Sequence, residues 1–216
     1  MKKLELSFLQ SKAKKRELVL AGLANAKEKK ELLERMTVLQ NEISVAFNTK
    51  VVAIAGVNDD DLAAHFAKAF VEAYSMNGST SLIIDANLYD QKLKALLSNS
   101  GDSVRVNAKE EGKEKGFIAL DEKTNAYCLD NEIYPSTVYK SGAIQQIIKD
   151  NKEKYDHFVL IVPQLKDHKE ISLLADVIES IVLVAQKDVT TKKRIFEAIQ
   201  YLAVAEMPLA KTVVLK

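Results

Sequence analysis

The stretch Val51-Val52-Ala53-Ile54-Ala55-Gly56 decides the reading of this chain. It is a continuous apolar run of strand length, rich in β-branched residues and closed by a glycine. Ser81–Ile84 (SLII), Phe158–Val162 (FVLIV), Ile181–Ala185 (IVLVA) and Thr212–Leu215 (TVVL) repeat the pattern. Amphipathic stretches lie between them, and helices are predicted over about 59–76, 141–154, 170–177 and 190–205. Strands that are apolar on both faces and alternate with helices specify a sheet covered on two sides. The predicted class is α/β: a doubly wound, mostly parallel sheet with helices on both faces, preceded by an N-terminal helical segment. The boundary falls at the change of pattern, giving 1–49 as the segment and 50–216 as the α/β domain.

The composition supports this frame. Of 216 residues only 7 are Gly and 3 are Pro, too few for a sandwich of many short strands and tight turns. Hydrophobic residues make up 47%, which argues against global disorder. The net charge of +1 gives no case for a nucleic-acid partner. A lone cysteine, Cys128, cannot form an internal disulfide and points to a reducing, cytoplasmic setting. No apolar run reaches the roughly 20 residues that cross a bilayer, and the basic start is not followed by a signal-peptide core.

Residues 1–50 differ from the rest, with eleven Lys or Arg against six Glu. Leu4, Leu6 and Phe8 alternate like a short strand. Within 12–47 the apolar residues fall at helical spacing, and Leu32, Met36, Leu39 and Ile43 form a stripe that must be buried on this domain or on another chain. That stripe is the candidate interaction surface. The basic bias is ordinarily a solvated helix face; the sharper alternative is a surface for an acidic partner or an anionic membrane.

In an open α/β sheet, ligands bind at the carboxyl ends of the strands, so the turn after the first strand is the place to look for chemistry. It reads Gly56-Val57-Asn58-Asp59-Asp60-Asp61-Leu62. A phosphate-binding loop needs several glycines to converge backbone N–H groups, a Lys for the outer phosphates and a Ser or Thr for magnesium. This turn has one glycine and three aspartates. Asn58 is the predicted N-cap, and Asp59–Asp61 would complement the positive helix end by about 0.3–1 kcal/mol each. A metal site from three adjacent aspartates is the sharper reading, but adjacent helical residues point in different directions.

The order VVAIAG, SLIIDANLYD, YDHFVLIVPQ and SIVLVAQKDVTTKKRIFEAIQYL resembles the bacterial tyrosine kinases, P-loop proteins of the MinD/ParA-like class associated with capsular and exopolysaccharide synthesis. The resemblance runs from about Lys50 to Leu215. Asn125–Leu129 resembles the family's strand before a Pro-containing loop, 141–156 the helix leading into the Walker B strand, and Thr190-Thr191-Lys192 the start of the last helix. The departures from the family pattern are specific. The Walker A loop lacks its Gly-Lys-Ser/Thr core and is shortened. The Asp-x-Asp-x-Arg motif appears as Asp85-Ala86-Asn87-Leu88-Tyr89, with Asp85 alone retained. Ile161 stands where Walker B places an Asp, and Pro163 remains. The resemblance therefore implies a degenerate P-loop-like domain in which Gly56 and Asp85 are vestigial.

Other chemistry is weakly supported. His65, His157 and His168 have no metal-ligand spacing, and Cys128 reads as a buried thiol. Tyr127, Tyr134 and Tyr139 group loosely around Pro135 and could be modified or line an interface, packing at the solvent edge being the ordinary outcome. The resulting expectation is a non-catalytic scaffold or regulator in polysaccharide synthesis or export, without cofactor or metal, working through a membrane adaptor, an active kinase or a second copy, and recruited to the membrane by its partner. An ATP-dependent kinase or ATPase with an unorthodox site, and a MinD/ParA-like structural protein in division, flagellar placement or secretion, are the alternatives.

Overall fold

The computed structural model describes residues 26–99, 117–129, 134–165 and 167–215. The expected strand at Leu4–Phe8 and the expected loop at 109–115 lie outside them. Helix α1 (Ala26–Phe47) leads into β1 (Val51–Gly56), α2 (Asp60–Met76), β2 (Ser81–Asp85) and α3 (Lys92–Asn99). Strands β3 (Phe117–Ala119) and β4 (Thr124–Cys128), helices α4 (Pro135–Lys140) and α5 (Ala143–Asn151), and strand β5 (His157–Val162) come next. A 3-10 helix (Lys169–Leu174), β6 (Ser180–Gln186), α6 (Lys192–Val204) and β7 (Leu209–Leu215) complete the order.

The strands form one seven-stranded sheet in the order β3-β4-β2-β5-β1-β6-β7. All neighbours are parallel except β3, which runs antiparallel to β4. The apolar runs become the central strands because both faces are covered. Every residue of β1 and β2 is buried. Alternation along β1 divides the core: Val52 and Ile54 face the layer built by α1, α2 and α3, while Val51, Ala53 and Ala55 face the layer of α4, α5, the 3-10 helix and α6.

The structure adjusts three helical expectations. The helix expected over 141–154 is α5, which starts two residues later and ends three earlier, and Gly142 at φ 75° separates it from the unexpected short helix α4. The segment expected as a helix over 170–177 is one short 3-10 helix. The N-cap of α2 is Asp59 rather than Asn58.

The α1 stripe is satisfied within the chain. Leu33, Met36, Leu39 and Ile43 are buried, with Leu32 half-buried on the flank. The sequence stripe was drawn through Leu32, but the helix is rotated so that Leu33 takes the central position. Gln40, itself buried, donates its amide to the Phe70 carbonyl of α2. These side chains are therefore part of the α2 contact, and they do not form an open interaction surface. An apolar helix face gains most of its stability from such packing. Ile43→Ala is expected to cost about 2–4 kcal/mol in urea unfolding, whereas Val45→Ala, at 88% exposure, stays within about 0.5 kcal/mol; equal effects would show that α1 is not docked as described.

Candidate functional site

Only Val57, Asn58 and Asp59 separate β1 from α2. The approach is so close that a Cβ built on Gly56 would lie 2.0 Å from the Asp59 carbonyl oxygen. Backbone occupies the space, so only glycine fits. The Val57 amide donates to the Val184 carbonyl of β6 at 2.9 Å. The Asp59 carboxylate accepts from the Leu62 amide in the first turn of α2 at 3.1 Å. An anion seated at a helix N-terminus uses these first-turn amides and the positive end of the dipole. Here a side chain of the protein already holds that place.

The other two aspartates diverge. Asp61 pairs with Lys92 at 3.4 Å, and Lys92 also pairs with Asp90 at 2.9 Å. Hydrogen bonding to Asp90, with both nearby carboxylates, raises the Lys92 pKa and keeps it charged. Asp60 turns toward the side-chain amides of Gln164 and Asn87; burial raises its pKa, and those two hydrogen bonds oppose the rise. The three carboxylates thus serve as a cap, a half-buried hydrogen-bond acceptor and an ion-pair partner. Among the described residues no group of three or more His, Cys, Asp or Glu side chains could hold a metal ion.

Asp85 ends β2, is fully buried and is level with Ile161 of β5. Its carboxylate accepts from the Asn87 amide at 3.2 Å. The amides of Leu93 and Lys94, in the first turn of α3, also serve it. Burial pushes its pKa up to about 7 against the pull of these donors. Its structural work is to hold the β2–α3 turn, where Asn87 in turn accepts from the amides of Tyr89 and Asp90. Ile161 is 1% exposed inside the sheet, so this neighbouring position offers no second carboxylate.

Tyr89 stacks on His168 with ring centroids 3.7 Å apart and planes 22° apart. This contact was not legible beforehand, because it joins the β2–α3 loop to the segment after β5. The remaining candidates scatter. Tyr139 is a core residue donating to the Ala86 carbonyl at 2.7 Å, Tyr127 packs edge-on against Phe117, and Tyr134 is 83% exposed. His157 stacks on Tyr74 at the opposite end of β5, with its pKa lowered by burial. Cys128 is half-buried rather than buried, and desolvation pushes its thiol up to about 12.

Comparison with solved structures gives the architecture its relatives. The kinase domain of the Escherichia coli tyrosine kinase ETK superposes with TM-score 0.71 at 16% identity, over 84% of this chain and 74% of that one. The BceF tyrosine kinase domain gives TM-score 0.71 at 18% identity, over 97% of this chain and 88% of that one. The fold is that of the bacterial tyrosine kinase domains. A ParA family ATPase from Chlorobium tepidum shares it more loosely, with TM-score 0.56 at 13% identity, over 77% of this chain and 72% of that one. No family model and no curated protein matches the chain by sequence. At such identities the likeness establishes the kinase-type fold, and the chemistry has to be read from this chain's own residues.

The Asp85 carboxyl yields a signed pH dependence. A carboxyl whose folded pKa lies near 7, above the usual 3.9 or so of an unfolded Asp, binds more protons when folded. It therefore lowers stability as pH rises from about 4 to 7. Asp85→Asn removes that component, so the stability of the variant relative to wild type should climb across this window and level off above it. Parallel curves of unfolding free energy against pH for the two proteins would contradict the assignment.

Proposed function

We propose that the chain is a non-catalytic relative of the bacterial tyrosine kinases, a scaffold or regulator that keeps the sheet and has lost the nucleotide chemistry. The observation that carries this reading is the closed β1–α2 turn. Gly56 is packed against the Asp59 backbone, and the Asp59 carboxylate holds the Leu62 amide. A polyphosphate would have to displace a bound carboxylate and then sit beside Asp60 and Asp61. Both would oppose a polyphosphate, Asp60 the more because it is half-buried, whereas Asp61 is exposed and paired with Lys92. The acidic positions of the two other motifs support the same reading: Asp85, retained from Asp-x-Asp-x-Arg, accepts from amides at the start of α3, and Ile161 stands where the resembled family has its Walker B carboxylate.

A domain without that chemistry acts through its surface. The polysaccharide setting rests on the sequence resemblance, and with it a membrane adaptor, an active kinase or a second copy as partner. Among the described residues no helix is long and apolar enough to cross a membrane. Titration calorimetry with Mg-ATP and Mg-ADP is expected to give no saturable heat up to millimolar ligand. Saturation in the micromolar range, or nucleotide retained through purification, would overturn the reading.

A further inference from the structure

Around the β2–α3 turn, three buried side-chain atoms have no hydrogen-bond partner: Asp85 Oδ2, Asn87 Nδ2 and Asp60 Oδ1. Buried polar atoms are ordinarily paired, so unpaired ones gathered at one turn need a physical account. Asp85 is the sharpest case. Its backbone is held in place, because β2 pairs in parallel with β4 on one side and β5 on the other. Level with it on those strands stand Cys128 and Ile161, a thiol and an aliphatic side chain. Asp85 Oδ1 accepts the Asn87 amide at 3.2 Å. The other oxygen, Oδ2, is the place for a proton. An unpartnered neutral O–H costs far less among such neighbours than an unpartnered carboxylate oxygen.

The element that meets this carboxyl is α3, through the amides of Leu93 and Lys94. It has 8 residues, too few to persist without tertiary contacts. Leu93 and Leu97 are buried beneath it, and Lys92 at its start pairs with Asp61 of α2 and Asp90 of the turn. The strand end cannot yield, so α3 is the part that moves if charge appears on Oδ2. The other titratable groups around Asp85 are Asp90 in the turn, Cys128 of β4 and Tyr139 of α4. Burial raises the pKa of both Cys128 and Tyr139, which keeps them neutral near pH 7. Lys94 of α3 acts on Cys128, β5 contributes only Ile161, and Asp60 of α2 lies across the turn with His168 near it.

We propose that α3 and the β2–α3 turn form a pH-gated latch, closed while Asp85 carries a proton on Oδ2 and released when that proton leaves to solvent. Release admits water to Oδ2 and to the unpaired atoms of Asn87 and Asp60 together. Burial holds the Asp85 carboxyl up at about 7, so the latch works around neutral pH. The closed form binds the proton more tightly than the open one, so opening is favoured by about tenfold on going from pH 6 to pH 8. Global stability falls with pH for any such carboxyl; the latch adds that α3 opens while the sheet stays folded.

The test is amide hydrogen exchange on the full chain, expressed as protection factors at pH 6 and pH 8, with and without urea below the unfolding transition. The amides of Leu96 and Leu97 in α3 should be less protected than those of Val52 and Ile54 in β1, with little dependence on urea. Their protection should drop about tenfold from pH 6 to pH 8, and in Asp85→Asn that drop should vanish. Protection at α3 equal to that of β1, with the same urea dependence, would mean that α3 opens only with the whole fold and would overturn the proposal. So would α3 protection that is the same at both pH values, or a drop that persists in Asp85→Asn and thus belongs to Asp60, His168 or another group. Should Asp85→Asn not fold, the carbon-13 carboxyl signal of Asp85 in the unaltered chain decides. Titration near pH 7 supports the latch, and a carboxylate already ionised at pH 5 overturns it. None of these readouts involves nucleotide, so failure here is distinct from failure of the scaffold reading.

Discussion

The hydrogen bond from the Leu62 amide to the Asp59 carboxylate is the constraint on which the carboxyl end of this sheet depends. A helix leaves its first amides unsatisfied, and something with negative character must meet them. In a phosphate-binding protein that role falls to the ligand, and the loop stays open to receive it. Here the cap lies within the chain, so the turn closes and needs only three residues. Closure brings the Asp59 carbonyl so near Gly56 that no side chain fits there. It also carries Asn58 to the β6–α6 loop, where it accepts the Thr190 hydroxyl.

The same logic organises the groups behind the turn. Asp60 is held by amides from the β2 and β5 loops, Asp61 by Lys92, and Asp85 by the start of α3. Each of these carboxylates has a partner in the chain on one of its oxygens. The satisfaction is partial: Asp60 Oδ1, Asp85 Oδ2 and Asn87 Nδ2 are buried without a hydrogen-bond partner, and buried polar groups in that condition are costly. The result is a set of loops held to one another in a fold whose relatives include nucleotide-binding ATPases.

The central strands were legible because VVAIA, SLII, FVLIV and IVLVA are apolar at successive positions, which only a doubly covered strand requires. The strands at the margins were harder to read. Thr124–Cys128 mixes polar and apolar residues, and β7 was read only from Thr212 because an edge strand is half-exposed over its first residues. At the site, the missing phosphate loop was plain from residue types alone. The cap was read one residue early, since Asn58 and Asp59 are both good caps and only the loop geometry chooses between them. The near-neutral pKa of Asp85 and the Tyr89–His168 stack depend on tertiary packing, which no local pattern encodes.

The most direct measurement of the account is the backbone amide signal of Leu62 in a nitrogen–proton correlation spectrum while Mg-ATP is added. If the Asp59 carboxylate holds that amide against phosphate, the signal moves no more than amides remote from the site, such as that of Val204 in α6. A saturable shift of Leu62 together with its neighbours Asp60 and Asp61 would mean that the helix end is open to nucleotide, and the account would be wrong at its centre.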